Sequence, residues 1–514
     1  MSQKKHDVPK DLAKLISEQV VQDPRLPRPQ PTVSKWQVPP HPDVSSLRSA
    51  QLPETVDFAV IGSGITACGA VKQLLNEDAA VGKTVTVFEA RELCSSATGR
   101  NGGQLTRIPP VRHLQISKQI GVEQANKVVR FNLKCLRDVH ALAEPQGMDV
   151  ETDSRHVRLN KLFIYYDQGL YDLAVAALKF YEAHIPEERG VFQVVSKDDL
   201  STLHLKGAVG AFRFPAGVVS PYRLVTNTFK NLLATNSDRF TIETRTPVTA
   251  VRYDPRGNAQ YPYIISTPRG SVCAGQVLHC TNGYTGHLNA GLRGPMYPYR
   301  GAMSAQTVES GFPNLGREFS WSYFHKPHYD EKARVLEKGH YYAGQHPSTG
   351  DMWIGCHKDG IEGFVTSDDT EIGREAEKAL EAALPKLYDT TWVPETKKRD
   401  MQIWSGVMCL TGDGLPFVGR LPRSATLRDG NGEWLAGGYN QWGMVNGLLC
   451  GSTLAQMVVG KDVSEWLPEA YVLNAERLRG KPFTREAIVK GYFARIGFFN
   501  EDSVSIEEPI SSKL

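Results

Sequence analysis

Two glycines and a small residue carry the first chemical signal in this chain, in the pattern Gly62-Ser63-Gly64-Ile65-Thr66-Ala67. Gly62 lets the chain turn sharply, and Gly64, with no Cβ, lets phosphate oxygens approach the backbone. Ala67 keeps a following helix close to the preceding strand. The free amides at Ile65 and Thr66, at the positive end of that helix, favour a pyrophosphate. Glu89 stands twenty-seven positions after Gly62 and offers a carboxylate to a ribose 2′-OH.

These residues need a strand, a turn, a helix and a second strand to bring them together. Val56 to Ile61 is a short β-branched run, and the helix predicted after it extends to about Asn76, burying Ala70, Val71, Leu74 and Leu75. A second apolar run, Thr84 to Phe88, delivers Glu89. The Gly62 to Glu89 spacing exceeds the usual ~20 residues, and the polar insert Asn76 to Lys83 accounts for the excess. The acid favours an unphosphorylated adenosine ribose, as in FAD or NAD, over NADP. A second glycine-dense loop follows Glu89-Ala90-Arg91, containing Thr98, Gly99, Arg100, Asn101, Gly102 and Gly103. A plain nicotinamide fold does not require it, so FAD is favoured.

The run A-T-G-R-N-G-G after V-x-V-x-E-A-R resembles the flavin loop of the D-amino-acid-oxidase-like superfamily, which includes glycine, sarcosine and γ-glutamylputrescine oxidases. The resemblance spans most of Asp57 to Gly460. Gly217 to Pro221 resembles the crossover back into the dinucleotide domain, with Pro221 at the first helical position and Ser220 as its cap. In relatives the residue matching Val248 holds the adenine through its backbone. Val277 to Thr285 resembles the return strand that closes over the pyrophosphate, nominating Thr281 and Asn282. The last block, Trp404 to Gly419 followed by Trp434 to Gly447, implies contacts from Asp413, Gly414 and Gly438. It also implies that Gly443 and Met444 open a helix, Val445 to Val459, facing the pyrimidine end of the flavin. A helix N-terminus there stabilises the negative charge of reduced flavin.

Substrate-side candidates are fewer. Arg107 follows Thr106, and sarcosine oxidases have a similar Thr-Arg pair near the flavin face. Arg300 opens a strand-rich segment and offers a bidentate partner for a carboxylate or a structural salt bridge. Trp442 and Tyr439 are aromatics for the pocket wall or the core. Sarcosine oxidases attach flavin through a cysteine three residues before the threonine matching Thr411; that position is Met408 here, with Cys409 displaced by one. Noncovalent FAD is therefore expected.

At 514 residues, with 41% hydrophobic and 22% charged residues and a net charge of +3, the chain has the composition of a globular protein of two interleaved domains. No basic cluster interleaved with aromatics speaks for nucleic acid. The eight scattered cysteines show neither C-x-x-C nor a Cys/His pair at ligand spacing, so neither a metal site nor a disulfide framework is expected. No run of ~18 apolar residues is present, and no secretory signal opens the chain. The sequence ends Ser512-Lys513-Leu514, the peroxisomal address read by an import receptor.

The expected fold is α/β. A Rossmann-like FAD domain of the glutathione-reductase type (54–120, 205–290 and 400–465) is interleaved with a sheet-rich substrate domain (121–204 and 291–399). A Pro-rich arm (1–53), with one short helix near Lys10 to Val21, precedes them, and an extension (466–514) follows. The expected activity is hydride transfer from the C–H next to an amine nitrogen to flavin, with dioxygen reoxidising it to give hydrogen peroxide. A carrier-linked flavin dehydrogenase, an NAD-dependent dehydrogenase and a nonenzymatic flavin-fold partner are the alternatives.

Overall fold

The computed structural model describes residues 6–147, 153–393 and 400–504. The strand Thr55–Ile61 lies inside an eight-stranded sheet, flanked in parallel by Gly270–His279 and Val85–Phe88. The parallel set continues to Phe240–Glu243 on one side and Glu433–Gly437 on the other. Near-continuous burial of the central strands fits a parallel sheet covered on both faces. One covering layer is the helix Ile65–Leu75, crossed by Gly447–Val458. The crossing is glycine-dependent, since a Cβ on Gly451 would lie 1.9 Å from the Thr66 carbonyl oxygen and one on Gly69 2.1 Å from that of Leu448.

A second, ten-stranded sheet is mostly antiparallel and runs from Met401–Thr411 through Met296–Gln306, Met352–Gly360 and Val335–Gln345 to Gly210–Val218. It shifts three of the expected boundaries. Gly210–Val218 and Met401–Thr411 pair in this sheet, because each finds an extended partner along its full length. The helix Val122–Ala143, expected with the substrate domain, packs Val128, Phe131 and Leu136 into the core shared with Leu448, Leu449 and Leu454.

The arm holds the expected helix, Lys10–Val20, but it is not detached. Leu12, Ile16 and Val20 share a core with Ile488, Tyr492 and Phe493 of the helix Arg485–Ile496. His6–Asp7 pairs in parallel with Phe499–Asn500. Trp36 anchors the arm to the second glycine loop, its Nε1–H donating to the Asn101 carbonyl at 2.6 Å and its ring lying 3.9 Å from Trp353. All eight cysteines are free thiols. No helix among the described residues is long and apolar enough to cross a membrane, and none of their His, Cys, Asp and Glu groups is arranged to hold a metal. Ser512-Lys513-Leu514 lie outside the described residues.

Candidate flavin and substrate cavity

A cavity of about 980 Å³ lies between the two sheets, and it joins the glycine turn to the final loop. At its cradle end Gly62 has φ +100°, a left-handed backbone, and a Cβ there would lie 2.7 Å from the Cys280 carbonyl oxygen. Both facts demand glycine. Gly64 caps the helix Ile65–Leu75 without a side chain, and Ile65 and Thr66 line the cavity, so the positive helix end faces it. The Thr98 hydroxyl accepts the Ile65 N–H at 3.1 Å, tying the second glycine loop to the first.

Glu89 and Ala90 also line the cavity. The carboxylate of Glu89 accepts from the Ser63 hydroxyl at 2.6 Å and from the Arg91 N–H at 3.0 Å, and it is held at the end of its strand. Val248, Thr281 and Asn282 line the same cavity, as do Asn101 and Gly102. Asn282 accepts the Gly438 N–H at 3.0 Å, which joins the return strand to the final loop.

That final loop is strained. Asn440 and Gln441 have φ of +49° and +77°, next to Gly438 at +77°. Non-glycine residues with left-handed backbone concentrate at functional sites and persist only where surroundings hold them. Here Asn440 donates its backbone N–H to the Cys409 carbonyl at 3.0 Å and accepts the Thr411 N–H at 3.0 Å. The regular helix begins at Gly447 rather than Val445; Gly443–Val445 is a separate 3-10 turn, and Gly443, Met444 and Trp442 line the cavity. Tyr439 lines it too, its hydroxyl 2.7 Å from that of Thr66.

Several nominated residues stand apart from the cavity wall. Arg91 and Arg100 are buried and converge on Asp369, at 3.0 and 3.8 Å. Arg100 also donates to the Ser405 carbonyl at 2.7 Å, so the two arginines bolt the glycine loop to the second sheet. Gly99 and Gly103 pack against backbone, Gly103 accepting the Val219 N–H at 2.9 Å, and Gly438 lies behind the loop against Thr411. Arg107 is turned away into an ion pair with Glu188 at 2.8 Å, and it donates to the Pro215 carbonyl. Arg300 is paired with Asp359 at 3.4 Å and donates to the Asp368 carbonyl at 3.3 Å. In each case an acid away from the cavity pairs with the guanidinium. Asp413 and Gly414 do line the cavity, Asp413 also being held by Arg477 at 2.8 Å.

The opposite wall is a roof of side chains, none of them among the site residues nominated from the sequence. Lys338, His340 and Tyr342 come from Val335–Gln345, and His357 from Met352–Gly360. The register between these strands slips between Glu337 and Tyr341, so that Lys338, Gly339 and His340 stand opposite His357 alone. A bulge re-aims side chains, and here it turns Lys338 and His340 into the cavity. Burial depresses both imidazoles, His340 to about 3, so both are neutral at ordinary pH. His340 Nε2 and His357 Nδ1 have no hydrogen-bond partner. Lys338 is depressed by burial and by Arg495 to about 8. Tyr342 packs against Gly102, whose Cβ would be 3.3 Å from its ring, so glycine loop and roof touch there. The polar residues at 338, 340 and 342, two apart on one strand, were the available signal.

The Cys409 thiol belongs to an apolar cluster with Leu292, Met296 and Phe417, and burial pushes it well up. A thiolate suited to covalent attachment is not formed there.

An elongated dinucleotide fits this arrangement. A helix N-terminus and a Cβ-free turn suit its diphosphate, a carboxylate suits its ribose, and the cavity continues from there to the final loop and the roof. A family model described as FAD-dependent oxidoreductase, DAO, matches residues 57–457. A probable oxidoreductase, OrdL, of Rhizobium meliloti (strain 1021) is 21% identical over 447 residues, covering 83% of this chain and 90% of that protein. Among solved structures, glycine oxidase from Geobacillus kaustophilus superposes with a TM-score of 0.60 at 18% identity, covering 82% of this chain and 99% of its own. L-proline dehydrogenase from P. horikoshii gives a TM-score of 0.57 at 19% identity, with 81% and 98% covered. The family match excludes the nicotinamide alternative and covers well over half of the chain: the protein belongs to the DAO family of FAD-dependent oxidoreductases, with FAD as its cofactor.

Proposed function

We propose that the protein oxidises an amine or amino acid at the C–H next to nitrogen and delivers the electrons to dioxygen, giving an imine and hydrogen peroxide. The observation that carries this reading is the single cavity with a backbone cradle for the cofactor at one end and uncharged imidazoles roofing the other. FAD supplies hydride acceptance and reoxidation by dioxygen. The chain's part is selection and alignment. An amine loses hydride only as the free base, and a roof with neutral His340 and His357 lines the cavity with imidazoles that add no positive charge. Gly443, Met444 and Val445 line the cavity, and this turn is the part of the chain suited to stabilising the negative charge of the reduced flavin. Oxidation balances as loss of a hydride from carbon and a proton from nitrogen, both of which end on peroxide.

The names of glycine oxidase and L-proline dehydrogenase support an amino-acid class of substrate and differ in the acceptor they imply. The deciding experiment uses purified yellow protein with amino acids, N-methyl amino acids and polyamines, following peroxide and, in parallel, reduction of an artificial dye. Turnover with peroxide is expected. Turnover with dye alone makes the protein a carrier-linked dehydrogenase, and no turnover with either acceptor removes the enzymatic reading.

We further propose noncovalent FAD, supported by the buried Cys409 thiol, and a peroxisomal location through Ser512-Lys513-Leu514, which suits a source of peroxide. A fluorescent fusion placed before residue 1 is expected in peroxisomes and dispersed after removal of the last three residues; identical distributions would discard the address.

A further inference from the structure

Three cations line one stretch of the cavity away from the glycine cradle: Arg112, Lys338 and Arg495. Arg495 comes from the helix Arg485–Ile496, beyond the end of the family match at residue 457. Gly414 measures the first gap, since a Cβ built there would lie 3.2 Å from Arg495 Nη1 and 3.3 Å from Arg112 Nη2. The two guanidinium groups therefore flank one glycine and stand no farther apart than those distances together allow. Arg495 donates to the Tyr297 hydroxyl at 2.8 Å, and Lys338 sits 5.2 Å from the ring of Tyr299, two residues along the same strand.

None of the three has a carboxylate within ion-pair distance among the described residues. Asp413, the acid beside Gly414, is already taken by Arg477 at 2.8 Å. Arg112 has only the Gly414 carbonyl at 2.8 Å, and the Nε of Arg495 is buried with no partner. Like charges so close, withdrawn from water, are costly unless an anion joins them. Burial and Arg495 together depress Arg112 to about 10, the direction expected for cations lacking a counter-ion.

We infer that Arg112, Lys338 and Arg495 form a site for an anionic substrate carrying two carboxylates, so that the oxidised amine is a dicarboxylic amino acid or N-carboxyalkyl amino acid rather than a polyamine. This rests on the proposed amine oxidation. One carboxylate satisfies one guanidinium in bidentate fashion, leaving the remaining cations for a second. A polyamine would add positive charge to a stretch of wall where three cations outnumber the one acid, Asp413, which is already paired with Arg477.

The test uses flavin-loaded full-length enzyme. Thiodiacetate and methylthioacetate, a diacid and a monoacid with no oxidisable amine, are titrated while the flavin absorption is followed. The diacid is expected to bind at least tenfold more tightly, and Arg495→Gln is expected to erase most of that preference with flavin content unchanged. Arg495→Lys, which keeps the charge, is expected to restore part of it and serves if the glutamine variant fails to fold. Equal affinities in the unaltered enzyme would overturn the inference. So would loss of flavin from Arg495→Gln with the diacid preference intact, because the cation would then serve the cofactor. Because binding is read without turnover, tight diacid binding in an enzyme that oxidises no amine would reject the amine-oxidation reading while leaving the anion site standing.

Discussion

The two ends of the cavity are built by different rules. The cradle is made of backbone: the glycine turn, the open end of Ile65–Leu75 and the loop through Thr98 lie within about one stretch of chain, and their function depends on residues having little or no side chain. The roof is made of side chains gathered from far apart, with Lys338 and His340 from a bulged strand, His357 from its neighbour and Arg495 from a terminal helix. A backbone site recognises what every family member binds. A side-chain site can be rewritten at a few positions, and selectivity resides there.

Breaking the bolt between the two regions should have the largest effect. Asp369 is fully buried and faces both Arg91 and Arg100, so Asp369→Ala leaves two guanidiniums without their counter-ion. A loss of about 3–5 kcal/mol is expected, read by chemical denaturation. Loss below about 1 kcal/mol would mean that cradle and roof are held together by packing alone. Next comes Gly62→Val, which forces a branched side chain into a left-handed backbone against the Cys280 carbonyl. It should cost about 1–3 kcal/mol and yield colourless protein, and a variant that keeps its yellow colour would show that the cradle tolerates side chains after all.

The roof should respond in selectivity and pH dependence rather than in colour. Lys338 is protonated below about pH 8 and loses its charge above it. The rate constant kcat/KM for a carboxylate-bearing substrate should therefore fall as pH rises through about 8, and the limb should vanish in Lys338→Met, at a loss of roughly tenfold below it (about 1.4 kcal/mol). For stability the sign is opposite. Between about 8 and 10.5 the unfolded chain holds a proton that the folded one has released, so stability rises with pH in that window. Comparing the unfolding free energy of Lys338→Met and the unaltered protein at pH 7 and 10 checks this. The smallest effect is expected at Cys409. With its thiol buried among apolar side chains, acid precipitation should leave flavin in the supernatant of both the unaltered protein and Cys409→Ser; yellow pellets from the former alone would establish a covalent bond.

This contrast also explains what could be read in advance. Gly62, Gly64, Glu89 and Thr98 were legible because backbone chemistry limits those positions to few residue types, and the strand, turn, helix and strand around them appeared as expected. Ser220 caps the helix Pro221–Thr235 as anticipated. Arg107 went astray, and Arg300 took the structural salt bridge and not the substrate, because a guanidinium's destination depends on which acid the fold brings near, and Glu188 and Asp359 are far away in sequence. Lys338 and His340 were missed because their alternation with Tyr342 marks a shared strand face but not what that face meets in the fold. Domain boundaries slipped where a strand belonged to the sheet of its partners rather than to its neighbours in sequence, as at Met401–Thr411.

The joining of Lys10–Val20 to Arg485–Ile496, and of His6–Asp7 to Phe499–Asn500, sets an order on biosynthesis. On the ribosome, the glycine turn and its helix emerge early, whereas the wall carrying Arg495 emerges after nearly all the rest. The segment near residue 10 must therefore wait, undocked, until Arg485–Ile496 has been made. The diphosphate cradle waits too, because the strand Gly270–His279 beside it and the helix Gly447–Val458 crossing Ile65–Leu75 are made long after the glycine turn, so flavin capture and the ability to discriminate among substrates are completed late and close together.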